Sequence, residues 1–325
     1  MGRTLSVGII GAGAIAAARH APGYERAPGA EILAVADANL DRAEVLAKKH
    51  GVPIVYQDYR ELLRRTDIDA VSICTPNALH AEHALAAIQA GKHVLCELPI
   101  ALGLGECREL IQMARAHGVL LMPALAERFS AAHRQAREIV ASGQIGRPLF
   151  FRASFASPRS PAASDWRVDP ALSGGGALID LGLHALDLFR FHMGAVSTVL
   201  ADTGTLAGEA PVEDAAVCVV HGDGARGCIE ARWCGAVPAR SVEIHGTAGG
   251  VLVDAGKPVH VCGAGTGWEP VAAPSTEGPA GIVAHFVACC QQAAEPEVAA
   301  EEGTRALELV LAAYDSARRG QPRQI

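Results

Sequence analysis

Apolar residues follow two rhythms along the chain. Up to Pro123, short continuous apolar runs alternate with segments of helical period. Leu5–Ile10, Glu31–Ala36, Ala70–Cys74, Val94–Cys96 and Leu120–Met122 read as strands. Leu40–His50, His80–Ala90 and Leu104–His117 read as helices between them. Continuous apolar strands are expected where helices cover both faces of a parallel sheet. Beyond Pro123 the rhythm changes. A helix over Ala131–Ser142 leads to a strand over Leu149–Phe155, a Pro- and Ser-rich loop over Ser157–Pro170 and a helix over Gly176–Phe191. Strand-like stretches then follow at hairpin spacing: Val196–Leu206, Ala215–His221, Ala225–Trp233, Ser241–His245 and Val251–Val253, with Gly222-Asp223-Gly224 as one turn. Helices over Gly281–Ala293 and Thr304–Arg318 end the chain. The fold class is α/β: a parallel-sheet domain over 1–123, then an α+β domain with an antiparallel sheet over 124–325.

Composition narrows the choice of partners. Half of the 325 residues are hydrophobic and 19% are charged, enough for a packed core and wrong for a disordered chain or a disulfide miniprotein. The net charge of −7, with no basic cluster, argues against nucleic acid or an anionic membrane as a direct ligand. Nine cysteines, an odd number without paired metal spacing and mostly among apolar neighbours, read as buried thiols in a reducing cytoplasm. Arg3 and the Ala-rich run to Ala18 resemble a signal peptide, and Met1-Gly2-Arg3-Thr4-Leu5-Ser6 fits a loose myristoylation pattern. The same residues make a strand and a glycine turn, which is the reading taken here. No apolar stretch is long enough to span a bilayer.

The glycine turn carries the first chemistry. Gly11-Ala12-Gly13-Ala14-Ile15-Ala16 directly follows a strand and opens a helix. In this G-x-G-x-x-A pattern Gly11 permits the tight turn, Gly13 lets backbone approach a pyrophosphate, and Ala16 lets the helix pack close. The helix N-terminus, from Gly11 through Ala14 and Ile15, then faces the phosphates. Asp37, at the end of the second strand, can accept hydrogen bonds from both hydroxyls of an adenosine ribose and would repel a 2′-phosphate. NAD is therefore favoured over NADP, although Arg42 lies one helical turn on. Asp37 could also cap the following helix.

A second cluster lies in Gly174-Gly175-Gly176 and the helix that follows. Asp180 and His184 are four residues apart, so they share a helix face. A carboxylate beside an imidazole favours the charged ring, and such a pair can move a proton at a substrate hydroxyl. Asp187 is one turn further. The same groups could serve a divalent metal, though one helix rarely completes a coordination shell, or a structural network; no metal is assigned.

Taken with Cys74-Thr75-Pro76-Asn77 and His80, Cys96-Glu97-Leu98-Pro99, Arg128-Phe129, Trp166-Arg167, Val212-Glu213-Asp214 and Glu243-Ile244-His245-Gly246-Thr247, these motifs span nearly the whole chain. The sequence resembles the Gfo/Idh/MocA oxidoreductases. That resemblance implies a Rossmann domain, then an α+β domain whose open, mostly antiparallel sheet mediates homodimers or homotetramers. It implies hydride transfer between nicotinamide and a sugar, cyclitol or related polyol or aminosugar. It places Thr75, Pro76, Asn77 and His80 near the cofactor and Glu97 by the nicotinamide ribose. Pro99 would shape the turn. Arg167 and Trp166 would face the substrate, with Asp180 and His184 at the reacting carbon.

One position departs from the family. Its Glu-Lys-Pro motif is Glu97-Leu98-Pro99 here, and Leu98 has neither charge nor donor. Ala126 also stands where many members carry Asn. Lys48, Lys49, Lys92 and Lys257 are the only lysines, and none falls at a matching motif position. Three readings stay open: an oxidoreductase with His184 as sole acid–base and Asp180 orienting it, another reaction such as elimination on a sugar-like substrate, or a non-catalytic sensor. Trp166 and Trp233 are candidate sugar platforms or core anchors. His20, His133 and His192 show no partner pattern.

Overall fold

The computed structural model describes residues 4–159, 164–272, 281–292 and 294–325. The chain forms two compact units, 1–126 with 277–305, and 127–276 with 306–325. This differs from a single boundary near 123, because the chain returns to the first unit.

The first unit opens with β1 (Leu5–Ile10), buried along its whole length. A wide helical turn, Ala16–His20, runs straight into α1 (Ala21–Arg26). Its closing bond, Ala21 N–H to the Ala16 carbonyl, spans five residues, as in a π-bulge. Next come β2 (Ala30–Ala36), α2 (Leu40–His50), β3 (Ile54–Tyr56), α3 (Tyr59–Leu63), β4 (Ala70–Ile73), α4 (His80–Gln89), β5 (His93–Cys96), α5 (Leu104–His117) and β6 (Leu121–Pro123). The sheet is parallel, in the order β3-β2-β1-β4-β5-β6. Strand order therefore reverses at β1/β4, where a ligand crevice forms beyond the carboxyl ends. Helix limits follow local chemistry. Asn39 caps α2 by accepting the Arg42 N–H at 3.2 Å, and Gly51 ends it at φ 65°. Glu106 accepts the Gly103 N–H to open α5, and Gly118 closes it at φ 64°.

The second unit contains α6 (Ala131–Ala141), β7 (Pro148–Ala156), α7 (Pro170–Ser173), α8 (Leu183–Met193), β8 (Val196–Gly204), β9 (Ala215–Gly222), β10 (Arg226–Arg232), β11 (Ala239–Gly246), β12 (Gly249–Asp254), β13 (His260–Gly263) and β14 (Glu269–Pro270). After α9 (Gly281–Cys290), which packs Val283 against Gly23 in the first unit, α10 (Ala300–Arg319) leads to β15 (Arg323–Gln324). The order β14-β13-β12-β11-β7-β10-β9-β8-β15 is antiparallel except at β7/β10. One face packs on α8, where Phe189 meets Phe151 edge-on at 5.4 Å. The other exposes Leu200, Val217, Val219 and Phe150.

Three expectations change. The helix expected over Gly176–Phe191 begins as a second wide turn, Leu178–Gly182, and continues as α8 to Met193. The strand expected to Leu206 stops at Gly204, because Asp214 accepts the Leu206 and Ala207 N–H groups and folds the chain into a loop. The short strands β3, β13, β14 and β15 have no sequence counterpart above. The targeting patterns at Met1–Arg3 and part of the Ser157–Pro170 loop lie outside the described residues, as does Ala293. Leu5 to Ile10 is a strand, as the plain reading of that segment holds.

The Gly174-Gly175-Gly176 run has a local cause. Both Glu213 carboxylate oxygens accept the Gly176 N–H at 3.0 Å, and one also accepts the Leu178 N–H. Tyr314 donates to the same carboxylate at 2.8 Å. A Cβ on Gly176 would stand 1.8 Å from the Glu213 carbonyl oxygen. Gly176→Ala should therefore destabilise the fold by ~1–3 kcal/mol, the range for overpacking, read by urea unfolding; an unchanged midpoint would contradict this packing.

Candidate functional site

In the first unit the glycine turn is built by close backbone approach. Gly11 has φ 95°, and a Cβ there would lie 2.7 Å from the Cys74 carbonyl. Gly13 differs: nothing lies within 4 Å of where its Cβ would stand. No contact among the described residues demands glycine at 13, whereas a dinucleotide phosphate lying against that backbone would. The residues present therefore fit NAD. Asp37 accepts the Ala12 N–H at 2.7 Å and the Asn39 N–H at 2.8 Å. It thus ties the turn to β2 while Asn39 does the helix capping. Beside it, Asn39, Arg42 and Lys49 line a cavity of about 270 Å³.

The carboxyl ends of β4 and β5 carry the other expected cofactor residues. Thr75 and Pro76 are half-buried and Asn77 is buried. Thr75 Oγ1 meets His83 Nδ1 at 3.1 Å. Burial lowers the His83 pKa to about 4. His80 is 1% exposed, with Nδ1 at 2.7 Å from the Pro99 carbonyl and Nε2 at 2.8 Å from the Thr75 carbonyl. Both ring nitrogens face protein, so His80 clamps the two loops and presents neither to a cofactor. Burial pushes its pKa down, against the pull of the two carbonyls. The Leu98–Pro99 bond is cis, and Leu98 is half-buried.

Glu97 reveals partners that sequence reasoning missed. Its carboxylate meets His20 Nε2 at 2.8 Å and Arg19 Nη1 at 3.6 Å. His20 is fully buried and reaches Ser72 Oγ through Nδ1.

In the second unit Asp180 sits in the wide turn. It accepts the indole N–H of Trp233 at 2.9 Å and pairs with Arg159 at 3.3 Å; Arg167 Nε lies 3.8 Å away. Trp233 is 2% exposed, with Arg159 over its ring, so it anchors Asp180 and offers no sugar platform. Arg159 and Trp233 also edge a cavity of about 980 Å³, with Asp169, Pro170, Pro211 and Asp214. Trp166 is half-buried and stacks under Arg167, which also pairs with Asp165 at 3.3 Å.

His184 stands among carboxylates. Its charge favours the ionised forms of both Glu127 and Asp187. Asp187 is buried and held by both arms of Arg128, at 2.8 and 2.5 Å. Burial raises its pKa and Arg128 opposes that. Glu127, which no motif singled out, is paired with Arg240 at 2.6 Å. Burial raises the Glu127 pKa, but Arg240, His184 and His133 more than offset this and hold it below the usual range. His133 and His192, left without partners above, meet at 3.3 Å. Among the described residues no group of three or more His, Cys, Asp and Glu side chains is placed to hold a metal, and no helix is long and apolar enough to cross a membrane. All nine cysteines are free thiols; Cys74, Cys96, Cys107 and Cys218 are buried as expected, whereas the other five are only half-buried.

A parallel unit with a dinucleotide-type glycine turn, joined to an α+β unit with a mixed sheet, is the architecture of a two-domain oxidoreductase. Residues 5–125 match the NAD-binding Rossmann fold of the oxidoreductase family, and 133–252 match the GFO/IDH/MocA C-terminal domain. The chain belongs to the Gfo/Idh/MocA family. It is 30% identical to myo-inositol 2-dehydrogenase of Thermotoga maritima over 77% of its own length and 75% of that protein's. It is 39% identical to 1,5-anhydro-D-fructose reductase of Ensifer adhaerens over 57% of its length, a match spanning about half (55%) of that relative. A levoglucosan dehydrogenase solved with NADH and levoglucosan superposes with a TM-score of 0.87 at 27% identity, over 99% of both chains.

Two outcomes follow. Gly13→Ala should leave the unfolding midpoint unchanged and weaken NADH binding at least ~10-fold, read by fluorescence titration; retained affinity would remove Gly13 from the phosphate site. Burial lowers the His133 pKa from 6.5 to about 4. On acidification the unfolded chain takes up this proton first, so the contribution is full above about pH 6.5 and is lost as pH falls towards 4. His133→Asn should flatten unfolding free energy against pH in that window by up to ~1.4 kcal/mol per pH unit; an unchanged slope would contradict a neutral buried ring.

Proposed function

We propose that the protein is an NAD-dependent oxidoreductase of a sugar, cyclitol or related polyol or aminosugar, with His184 as its acid–base group. The observation that carries this reading is a half-buried imidazole whose charge favours the ionised forms of Glu127 and Asp187, in a chain that also holds a dinucleotide-type glycine turn. Relatives named for inositol, anhydrofructose and levoglucosan support the substrate class.

Bound NAD supplies the hydride acceptor for oxidation and, reduced, the donor for the reverse. The turn at Gly11, Gly13, Ala14 and Ile15 binds the pyrophosphate. Asp37 binds the adenosine ribose and disfavours a 2′-phosphate. Thr75, Pro76 and Asn77 line the cofactor, with Glu97 on its nicotinamide side. His184 takes the substrate hydroxyl proton as the carbon is oxidised. The imidazolium that forms is stabilised by Glu127 and Asp187, so charge does not build up without a counter-charge. Asp180, fixed by Trp233, Arg159 and Arg167, offers oriented oxygen acceptors to substrate hydroxyls. Leu98 offers no donor, which puts the whole proton path on His184.

The exposed face of the nine-stranded sheet supports a homo-oligomer. Leu200, Val219 and Cys228 are register neighbours across β8, β9 and β10, and Val217 lies beside them. Arg152, between Cys228 and Glu243, gives this face a charged border. Nine free thiols suit a cytoplasmic location.

His184→Ala should lower turnover of the oxidised polyol by ~10²–10⁴-fold while leaving NADH affinity as in the wild type. Equal losses in both would sink the acid–base assignment.

A further inference from the structure

Four side chains in the first unit form one continuous hydrogen-bonded chain. The Tyr24 hydroxyl meets Ser72 Oγ at 2.7 Å, Ser72 Oγ meets His20 Nδ1 at 2.8 Å, and His20 Nε2 meets Glu97 Oε1 at 2.8 Å. Tyr24, Ser72 and His20 are all 0% exposed, whereas the Glu97 side chain keeps 12% of its surface open. Burial pushes the Tyr24 pKa far up, so its hydroxyl keeps its proton and donates. Every group is then satisfied in one direction: Tyr24 donates to Ser72, Ser72 to His20 Nδ1, and His20 Nε2–H to the carboxylate. Buried polar chains are expected to be fully paired, and this one ends at an accessible group.

Its position gives the chain a use. Ser72 lies on β4, and Glu97 immediately follows β5, its N–H bonded to the Ile73 carbonyl at 3.1 Å. Asp37 marks the adenosine side of the crevice at β2, so the second nucleotide lies over β4 and β5. His20 closes the wide turn just after the phosphate-facing helix start. One helix thus binds phosphate at its N-terminus and fixes Glu97 one turn later. With Leu98 beside it, Glu97 has no lysine neighbour in its own loop.

We propose that His20 is a positioning residue of the nicotinamide half of the cofactor site, acting through Glu97, which it locks from behind with Ser72 and Tyr24. This rests on the reading of Glu97 as a nicotinamide-side residue. His20→Asn can still reach Ser72 but not Glu97, while His20→Gln can place an amide donor near the position of Nε2.

The test is fluorescence and calorimetric titration of the intact chain with NADH and with ADP-ribose, which lacks nicotinamide. His20→Asn should weaken NADH binding about 10-fold, His20→Gln should recover most of it, and ADP-ribose affinity should not move. In a Glu97→Gln background His20→Asn should cost nothing more. Should His20→Asn fail to fold, Tyr24→Phe, which keeps the ring and breaks the chain, should give a smaller loss confined to NADH. Equal losses for NADH and ADP-ribose, or losses additive with Glu97→Gln, would overturn the proposal while leaving Glu97 in its role. An unchanged NADH affinity in Glu97→Gln alone would overturn the reading of Glu97 and the proposal with it.

Discussion

The cofactor end of the first unit depends on one steric constraint, the approach of Gly11 to the backbone of Cys74 and Thr75. A side chain at Gly11 would meet the Cys74 carbonyl at 2.7 Å. Only there can β1 turn directly over the end of β4 and start a helix pointing at the crevice. Other contacts are tied to that turn. Asp37 holds it from the β2 side through Ala12. Thr75, part of that contact, has its carbonyl bound by His80, which reaches on to the Pro99 carbonyl. The floor of the crevice is thus a set of backbone positions, and the side chains that would meet a dinucleotide hang from it.

The second unit solves a related problem with charge. Helix N-termini leave backbone N–H groups unpaired, and here the Glu213 carboxylate meets them at Gly176 and Leu178. The glycines admit the Glu213 backbone and the Tyr314 hydroxyl at distances no Cβ would tolerate. The wide turn that follows carries Asp180, and α8 carries His184 and Asp187. Three carboxylates are thereby set in three environments. Asp180 is held by an indole and two arginines. Asp187 is sealed against Arg128, and Glu127 is paired with Arg240 and within the field of His184.

Much of the fold was legible because local signals agreed. The helices Leu40–His50 and Leu104–His117 end where left-handed Gly51 and Gly118 end them, and the parallel strands are uninterrupted apolar runs. Strands such as β3 and β15 exist through their neighbours and have too few residues to show a period. The site was legible in its glycines and Asp37, whose spacing is local. It was less so where partners are distant. Asp180 and His184 stand at helical spacing, but the hold of Trp233, 53 residues away, on an Asp180 oxygen shows in no local pattern. His20 lies 52 residues from Ser72 and 77 from Glu97, separations that no periodicity reports. Glu127 stood in no motif and gains its meaning from Arg240, also far along the chain.

The central claim is that a proton path through His184 suffices with Leu98, and no lysine, between Glu97 and Pro99. It is tested most directly by following reduced-nicotinamide absorbance over a panel of polyols and aminosugars, with wild type beside Leu98→Lys. The account predicts that the wild-type protein itself reduces NAD with a member of the panel. Turnover by Leu98→Lys alone would contradict it, and would mean that the natural chain has given up sugar redox for binding or for another reaction.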